Sequence, residues 1–343
     1  RVRRRFRELR RRGVTVANPA TVWEILVRVP NWLGDAVMAL PVLDGLRRLY
    51  PEARLTILAV PRVAPLFPGQ PGVREVIPYP SGRGKWRRLL QLRRRFDLAL
   101  ALPNSFESAW GLWLTGVPYR LGYARNCRSP FLTTVLTGRR RLRGLHQVFY
   151  YLGLLSALGE VAEYVPPRLL LTDAERQQGL EILGNNPDSP QGPWVGLAPG
   201  AAFGPAKRWP AERFAAVATS LARDYGARLV ILGGREDQET AAAVAARIEG
   251  PVLNLAGKTT LRQALMVLSR LTLLITNDSG LMHAAAALAT PVVALFGSTD
   301  PTATGPFGAK ATVIQHPRAC SPCLQRTCTR GYPCLTDITV TEV

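Results

Sequence analysis

The residues best suited to chemistry in this 343-residue chain stand where an apolar run gives way to a helical pattern. The first such junction is Pro30-Asn31-Trp32-Leu33-Gly34-Asp35, where Asp35 opens a helix and serves either as its N-cap or as a general base. A second spans residues 198–210 (APGAAFGPAKRWP), whose small residues let backbone approach an anion closely while Lys207 meets it as a charge. The third, Leu232-Gly233-Gly234-Arg235-Glu236, offers Glu236 to ribose hydroxyls or as a favourable charge at a helix start. The fourth, residues 276–283 (TNDSGLMH), follows a buried apolar run. There Asn277 and Asp278 are expected to cap the next helix, Ser279-Gly280 admits a phosphate, and His283 sits on the first turn facing the loop. The plainer alternative is a capping Asp278 and a His283 satisfied within the core. Next to it, residues 296–301 (FGSTDP) give another strand a hydroxyl-rich exit. These are the groups a nucleotide diphosphate would need.

Positioning them requires parallel strands with helices on both faces, because ligands of such sheets lie beyond the carboxyl ends of the strands. The pattern supplies this twice. In the first series, strands are expected at 23–29, 54–60, 75–79 and 97–102, with helices at 36–50 and 86–95 and a buried apolar helix at 145–158. After a helix at 173–183 the second series has strands at 194–198, 228–232, 252–255, 273–276 and 292–296, alternating with helices at 211–225, 237–248, 260–269 and 281–288. The fold class is therefore α/β, with two Rossmann-like doubly wound domains. Residues 1–20 lack hydrophobic periodicity and are expected to be a basic, disordered tail. The first domain then covers 21–184, a Pro/Asn/Gly-rich linker 185–193, and the second domain 194–343.

Charge divides the same way. Residues 1–170 hold 29 Lys/Arg against 10 Asp/Glu, and the remainder 15 against 14, so nearly all of the net +20 lies in the first part. It concentrates at 1–12, 83–95 and 120–143, a field suited to an anionic partner such as nucleic acid, anionic lipid or a phosphorylated acceptor. No uninterrupted apolar run of 18 residues occurs, and no apolar core of a secretory signal follows the Arg-rich start, so a cytoplasmic protein is expected.

Two nucleotide-binding classes fail on spacing. Gly257-Lys258-Thr259-Thr260 ends like a P-loop, but the position its first glycine would need is Val252, and no Gly-x-Gly-x-x-Gly follows a predicted strand. Cys320, Cys323, Cys328 and Cys334 form Cys-x2-Cys-x4-Cys-x5-Cys. The first pair has metal-ligand spacing and the rest departs from common zinc patterns, so reduced thiols are expected in preference to a structural metal. No catalytic metal is implied.

With these loops assembled, the chain resembles the bacterial ADP-heptose lipopolysaccharide heptosyltransferases, glycosyltransferase family nine, in the heptosyltransferase II branch. The likeness is carried by residues 28–41 (RVPNWLGDAVMALP), 199–210 (PGAAFGPAKRWP) and 277–283 (NDSGLMH), supported by 296–301 and Cys320-Ser321-Pro322-Cys323. It implies the GT-B fold with its active site in the interdomain cleft, and an inverting, metal-independent transfer of heptose from ADP-L-glycero-D-manno-heptose to the lipopolysaccharide inner core. The resemblance makes Asp35 the base and Lys207 the stabiliser of the departing diphosphate. The donor would meet Gly200, Ala202, Phe203, Lys207, Glu236 on the ribose, Thr259 by the adenine, Asp278, Ser279, Gly280 and His283. An acidic, lipid-linked acceptor would meet Asn31, Trp32, Gly34 and Arg120, at the cytoplasmic face of an anionic inner membrane and with no nucleic acid involved. Ala201-Ala202 stand where relatives carry hydroxyl or acidic side chains, which leaves phosphate contacts there to backbone. The competing readings are a family-nine transferase with another donor or acceptor, a nucleotide-sugar epimerase, and a non-catalytic polyanion binder. The last is disfavoured because aromatics are not evenly interleaved with the arginines.

Overall fold

The computed structural model describes residues 5–6, 9–13, 19–79, 82, 84–138, 142–159, 166–184, 192–308 and 310–343. The chain forms two compact units, Arg1–Pro167 and Arg168–Val343.

The first unit is built on seven strands: β1 Arg10–Gly13, β2 Glu24–Arg28, β3 Arg54–Ala59, β4 Val73–Pro78, β5 Leu98–Ala101, β6 Tyr119–Tyr123 and β7 Thr134–Thr137. Their order is β1-β7-β6-β5-β2-β3-β4, parallel except where β1 pairs antiparallel with β7. The central strands read as near-continuous apolar runs (EILVR, LALA), as strands covered on both faces must. The predicted helix at 36–50 is two helices, α1 Leu33–Met38 and α2 Leu40–Leu49, divided at Ala39. Pro41 explains the division, because a residue without an N–H fits the first turn of a helix and not its interior. Next come α3 Gly84–Gln91 and α4 Phe106–Leu114, then α5 Gln147–Leu152, which continues as a 3-10 turn over Gly153–Leu158. The sequence pattern missed α4, whose apolar residues beyond Glu107 and Ser108 leave no polar face to mark a helical period, and the short strands β6 and β7.

The tail expected at 1–20 is corrected over its described part. Arg10–Gly13 is an edge strand in register with Thr134–Thr137, and Phe6 is buried. Unpaired backbone on the edge of β7 offers a partner that composition does not reveal. Residues 1–4, 7–8 and 14–18 lie outside the described residues, as do 185–191 of the expected linker.

The second unit has six parallel strands, β8 Trp194–Ala198, β9 Arg228–Ile231, β10 Val252–Asn254, β11 Leu273–Asn277, β12 Val292–Phe296 and β13 Ala311–Gln315, in the order β10-β9-β8-β11-β12-β13. Its helices are α6 Asp173–Ile182, α7 Ala211–Tyr225, α8 Gln238–Ala245, α9 Leu261–Leu268, α10 Gly280–Ala287, α11 Pro301–Thr304 and α12 Pro333–Thr336. The boundary thus falls earlier than the expected linker, because α6 packs on α9. Gly179 of α6 lies so close to the Met266 carbonyl that a Cβ would come within 2.4 Å of it. The Arg262 guanidinium donates to both carboxylate oxygens of Glu175, at 2.7 and 2.9 Å.

Those Arg262 hydrogen bonds outweigh the opposing effect of burial and hold the Glu175 carboxyl below the ordinary glutamate range. A depressed carboxyl contributes stability that is present above its unfolded pKa and is lost as pH falls through the lower folded one. Glu175→Gln should therefore cost about 1 kcal/mol near neutral pH. In urea melts, the gap between variant and parent should close as the solution is acidified below the ordinary glutamate range.

Both sheets reverse direction once. In the first unit the chain runs outward through β2, β3 and β4 and then through β5, β6 and β7, so the switch point lies between β2 and β5. In the second it lies between β8 and β11. A crevice opens beyond the carboxyl ends of strands at such points, and ligands bind there. Among the described residues no helix is long and apolar enough to cross a membrane.

Candidate active site

In the first unit, the exit of β2 leads through Val29 to Trp32 into α1. Trp32 is the N-cap residue and makes no side-chain cap bond, so Asp35 is the third helical residue and not the cap that its type suggested. Its Oδ1 accepts a hydrogen bond of 2.9 Å from the Tyr151 hydroxyl on α5. Tyr151 is buried. Burial first, then the charge of Asp35, pushes its pKa well above the ordinary phenol value, so the group stays a proton donor. The preceding Tyr150 donates to Asn104 Oδ1 at 2.7 Å, in the loop after β5. Consecutive tyrosines of one helix therefore pin the first turn of α1 and the loop after β5, on either side of the switch point. The sequence pointed to this helix only as an apolar one. Its signal lay in the two hydroxyls, which need partners once buried.

Beneath the same loop, Arg28 at the end of β2 is buried. Its guanidinium donates to Asn31 Oδ1 at 2.6 Å and to the Val29 carbonyl, and lies 4.7 Å from the centre of the Tyr79 ring. Burial lowers its pKa to about 10 against the opposing charges of Tyr79 and Glu107, so it remains a cation at neutral pH. Arg62 donates to the Asn31 carbonyl at 2.8 Å and stacks over the exposed Trp32 ring at 4.4 Å. Of the residues expected to meet an acceptor, Asn31, Trp32 and Gly34 are thus held together with Asp35 at one strand exit.

Arg120 is not with them. It pairs across β5 with Ala99, which is level with Leu26 of β2, so it lies within the sheet and short of the ligand end. Its guanidinium is taken up by the carbonyls of Phe131, at 2.7 Å, and Val117. The Arg-rich segment 120–143 suggested an open basic surface, but Arg120 is half-buried and two of its N–H groups are held by backbone.

The second unit collects the donor candidates on the carboxyl edge of its sheet. Lys207 ends a 3-10 turn, Pro205–Lys207, between β8 and α7. Its ammonium pairs with Asp278 Oδ2 and lies 5.0 Å from the centre of the Phe203 ring, with the Lys207 and Asp278 side chains only 13% and 5% exposed. The Thr299 hydroxyl donates to the same carboxylate oxygen at 2.7 Å. Asn277 fastens the two loops together. Its Oδ1 accepts from the Trp209 amide at 3.0 Å and its Nδ2 donates to the Pro199 carbonyl at 2.7 Å.

Neither residue caps α10 as expected. Ser279 does, accepting from the Met282 amide at 3.4 Å, which releases Asp278 to hold Lys207. Gly280 opens the helix and His283 is its fourth residue, buried. A lysine with one of three donors on Asp278 keeps a fixed position and presents the others to an anion. At the mouth of the β8/β11 crevice, beside a helix start, an anionic group such as a diphosphate would find a fixed cation and backbone amides.

The remaining candidates line neighbouring exits. Ala202 is exposed and Phe203 half-buried on the loop after β8. Gly200 abuts the Asp237 carboxylate so closely that a Cβ would come within 2.1 Å of it, and one Asp237 oxygen accepts from the Gly234 amide at 2.9 Å. Glu236 is exposed beside Gly234 after β9, and Thr259 is half-buried after β10, just before Thr260 caps α9. Asp237 and Thr299 were not singled out from the sequence. An Asp beside a Glu, and one hydroxyl in a row of hydroxyls, carry no spacing signal of their own.

All five cysteines are free thiols; Cys320 is exposed, Cys323 and Cys328 are half-buried, and Cys334 is buried. Among the described residues no group of three His, Cys, Asp or Glu side chains is placed to hold a metal ion.

Comparison with known proteins places this geometry. The model of glycosyltransferase family 9 (heptosyltransferase) matches residues 85–332. The chain is similar to lipopolysaccharide heptosyltransferase 2 of Escherichia coli K12, at 36% identity over 307 residues, covering 85% of this chain and 88% of that one. It superposes on the structure of E. coli ADP-heptose lps heptosyltransferase II with a TM-score of 0.80 at 32% identity, over 93% and 96% of the two chains. It also superposes on a family 9 glycosyl transferase from Veillonella parvula, with a TM-score of 0.77 at 27% identity over 88% and 87%. The chain belongs to glycosyltransferase family 9, the heptosyltransferases, and is an enzyme of the GT-B fold.

Proposed function

We propose that this chain transfers heptose from ADP-heptose to the inner core of lipopolysaccharide in a single inverting displacement. The observation that carries the donor half is the nearly buried Lys207, held by Asp278 and Thr299 at the switch point of the second unit. The two E. coli relatives are lipopolysaccharide heptosyltransferases by name, one of them an ADP-heptose enzyme, and they suggest this donor and this acceptor.

In this reading the acceptor hydroxyl oxygen attacks the anomeric carbon of the heptose as the bond from that carbon to the β-phosphate oxygen breaks. The hydroxyl proton passes to Asp35, and ADP leaves with the bonding pair. Attack opposite the leaving group inverts the anomeric centre. Tyr151 holds the carboxylate in place. Lys207 and the backbone amides that start α10 meet the charge growing on the diphosphate, with His283 as a supporting contact. A fixed cation and a helix start supply this stabilisation without a divalent metal. Glu236 is assigned to the ribose, Thr259 to the adenine pocket, and Gly200, Ala202, Phe203, Ser279 and Gly280 to the diphosphate and sugar. Asn31, Trp32 and Gly34 are assigned to an acidic, lipid-linked acceptor reached at the cytoplasmic face of the inner membrane.

Calorimetric titration with ADP-heptose and with UDP- and GDP-sugars tests the donor. ADP-heptose should bind about a hundredfold more tightly than the others, since a buried polar group left unpaired by the wrong ligand costs about 1–3 kcal/mol. Equal or tighter binding of a different nucleotide-sugar would remove heptose from the reading.

A further inference from the structure

One surface of the first unit is left over by this chemistry. α3 buries Leu89 against the sheet and thereby turns Leu90 outward, where it is 48% exposed. Beside it, Trp86 of α3 packs on Trp110 of α4, with ring centres 4.3 Å apart. α4 presents Phe106 and Trp113, seven residues and two turns apart and therefore on one face, at 44% and 48% exposure. Phe131 bridges them, with ring centres 5.1 Å from Phe106 and 5.9 Å from Trp113. The result is a continuous aromatic strip running from α3 across α4. A globular protein has no structural need to leave two large aromatics and a leucine exposed on adjoining helices.

The rim of the strip is cationic. Residues 84–95 contain six Lys/Arg and no acid. Lys85 is engaged by Glu107 at 2.7 Å and Arg95 by Glu75 at 3.1 Å, while Arg87, Arg93 and Arg94 are exposed. The Arg94 amide donates to the Thr115 carbonyl at 2.9 Å, which places that arginine just beyond Trp113 at the end of α4. Aromatic rings flanked by arginines match the interface of an anionic bilayer, where ring edges enter the headgroup region and the guanidinium groups meet lipid phosphates. Single-stranded nucleic acid would need rings separated enough for bases to stack between them, and here the rings pack on one another.

We infer that the α3–α4 face, through Leu90, Phe106 and Trp113 with Arg87, Arg93 and Arg94, docks this enzyme on an anionic lipid surface. The inference rests on the reading of a lipid-linked acceptor and names the surface that would bring the enzyme to it. Phe106 opens the helix after β5, and β5 lies beside β2, whose exit carries Asp35. The Phe106 end of this face therefore lies at the strand exits of the first unit, and the Trp113 end two helical turns away from them.

Sedimentation with vesicles of phosphatidylethanolamine and 30% phosphatidylglycerol, against vesicles of phosphatidylcholine alone, tests the docking without any turnover. The full chain should bind the anionic vesicles and release in high salt, and Trp113 should report insertion by a blue-shifted emission. Replacing Arg87, Arg93 and Arg94 by Gln should weaken binding about a hundredfold, or roughly fivefold per arginine. Phe106→Ser with Trp113→Ser should abolish the blue shift and leave the circular dichroism spectrum and melting temperature unchanged, which shows that the variant is folded. Equal binding to neutral vesicles, undiminished binding of either variant, or an aromatic-dependent dimer or nucleic-acid complex in place of vesicle binding would overturn the inference. These outcomes are independent of whether heptose is the sugar transferred.

Discussion

Asp35→Asn should lower kcat/KM by about a thousandfold while leaving calorimetric binding of ADP-heptose within about twofold of the parent. That loss is the middle of the range a positioned general base contributes. The amide has nearly the shape of the carboxylate and can still accept from Tyr151, so the loop should keep its conformation. Tyr151→Phe separates the base from its support. The tyrosine donates to the charged form of the carboxylate, and a donor to the charged form lowers a carboxyl pKa. Its removal should move the acid limb of the kcat/KM profile to higher pH and reduce the plateau by about tenfold, whereas Asp35→Asn should abolish the limb. If Asp35→Asn kept parental activity, the base would have to be sought elsewhere. If it were inactive and Tyr151→Phe had an unchanged profile, only the positioning role would fall.

Lys207→Met should remove about a hundredfold to a thousandfold of kcat, as expected for loss of one preorganised group facing the leaving charge. It should also destabilise the second unit by about 3 kcal/mol, because it strands a buried carboxylate that, among the described residues, keeps the Thr299 hydroxyl as its side-chain donor. The two effects are separable. Adding Asp278→Asn to Lys207→Met removes the stranded charge and should restore most of the melting temperature with none of the activity. Recovery of both would make Lys207 a purely structural cation. Recovery of neither would mean that Asp278 is needed for packing beyond its partnership with Lys207.

The parts of the fold that the sequence made legible are those where burial forces a pattern. Strands covered on both faces, such as Leu98–Ala101 and Trp194–Ala198, must be apolar throughout, and amphipathic helices such as Ala211–Tyr225 must repeat every three to four residues. The edge strand Arg10–Gly13 is held by the neighbour it pairs with and not by its own composition, so it was taken for a tail. Helix α6 was placed in the wrong unit because the turn-rich stretch after it looked like a linker, while the packing of Gly179 and Glu175 onto α9 leaves no local trace.

The site shows the same division. Asp35, Lys207 and the turn around Asp278 could be singled out because strand exits of parallel sheets are where ligand groups belong, and the structure does put all three at strand exits. Tyr151 and Thr299 were missed because each acts through a neighbour that is distant in sequence, and Arg28 because a charge at the end of an apolar run reads as the solvated end of a strand, whereas here it is buried beneath its own loop. Arg120 was misplaced for the opposite reason. A cluster of arginines reads as one electrostatic surface, whereas carbonyls left open at loop ends can engage a guanidinium on two sides.

The central claim is that Asp35 and Lys207 serve one reaction, the transfer of heptose from ADP-heptose to a lipopolysaccharide inner-core acceptor. Its most direct test is mass spectrometry of the products of the parent enzyme and the two variants, incubated with ADP-heptose and heptose-deficient core acceptor. The account predicts, for the parent alone, one ADP released for each acceptor extended by a single heptose. Extension of the acceptor only with a different nucleotide-sugar, or ADP released with no extended acceptor, would contradict it.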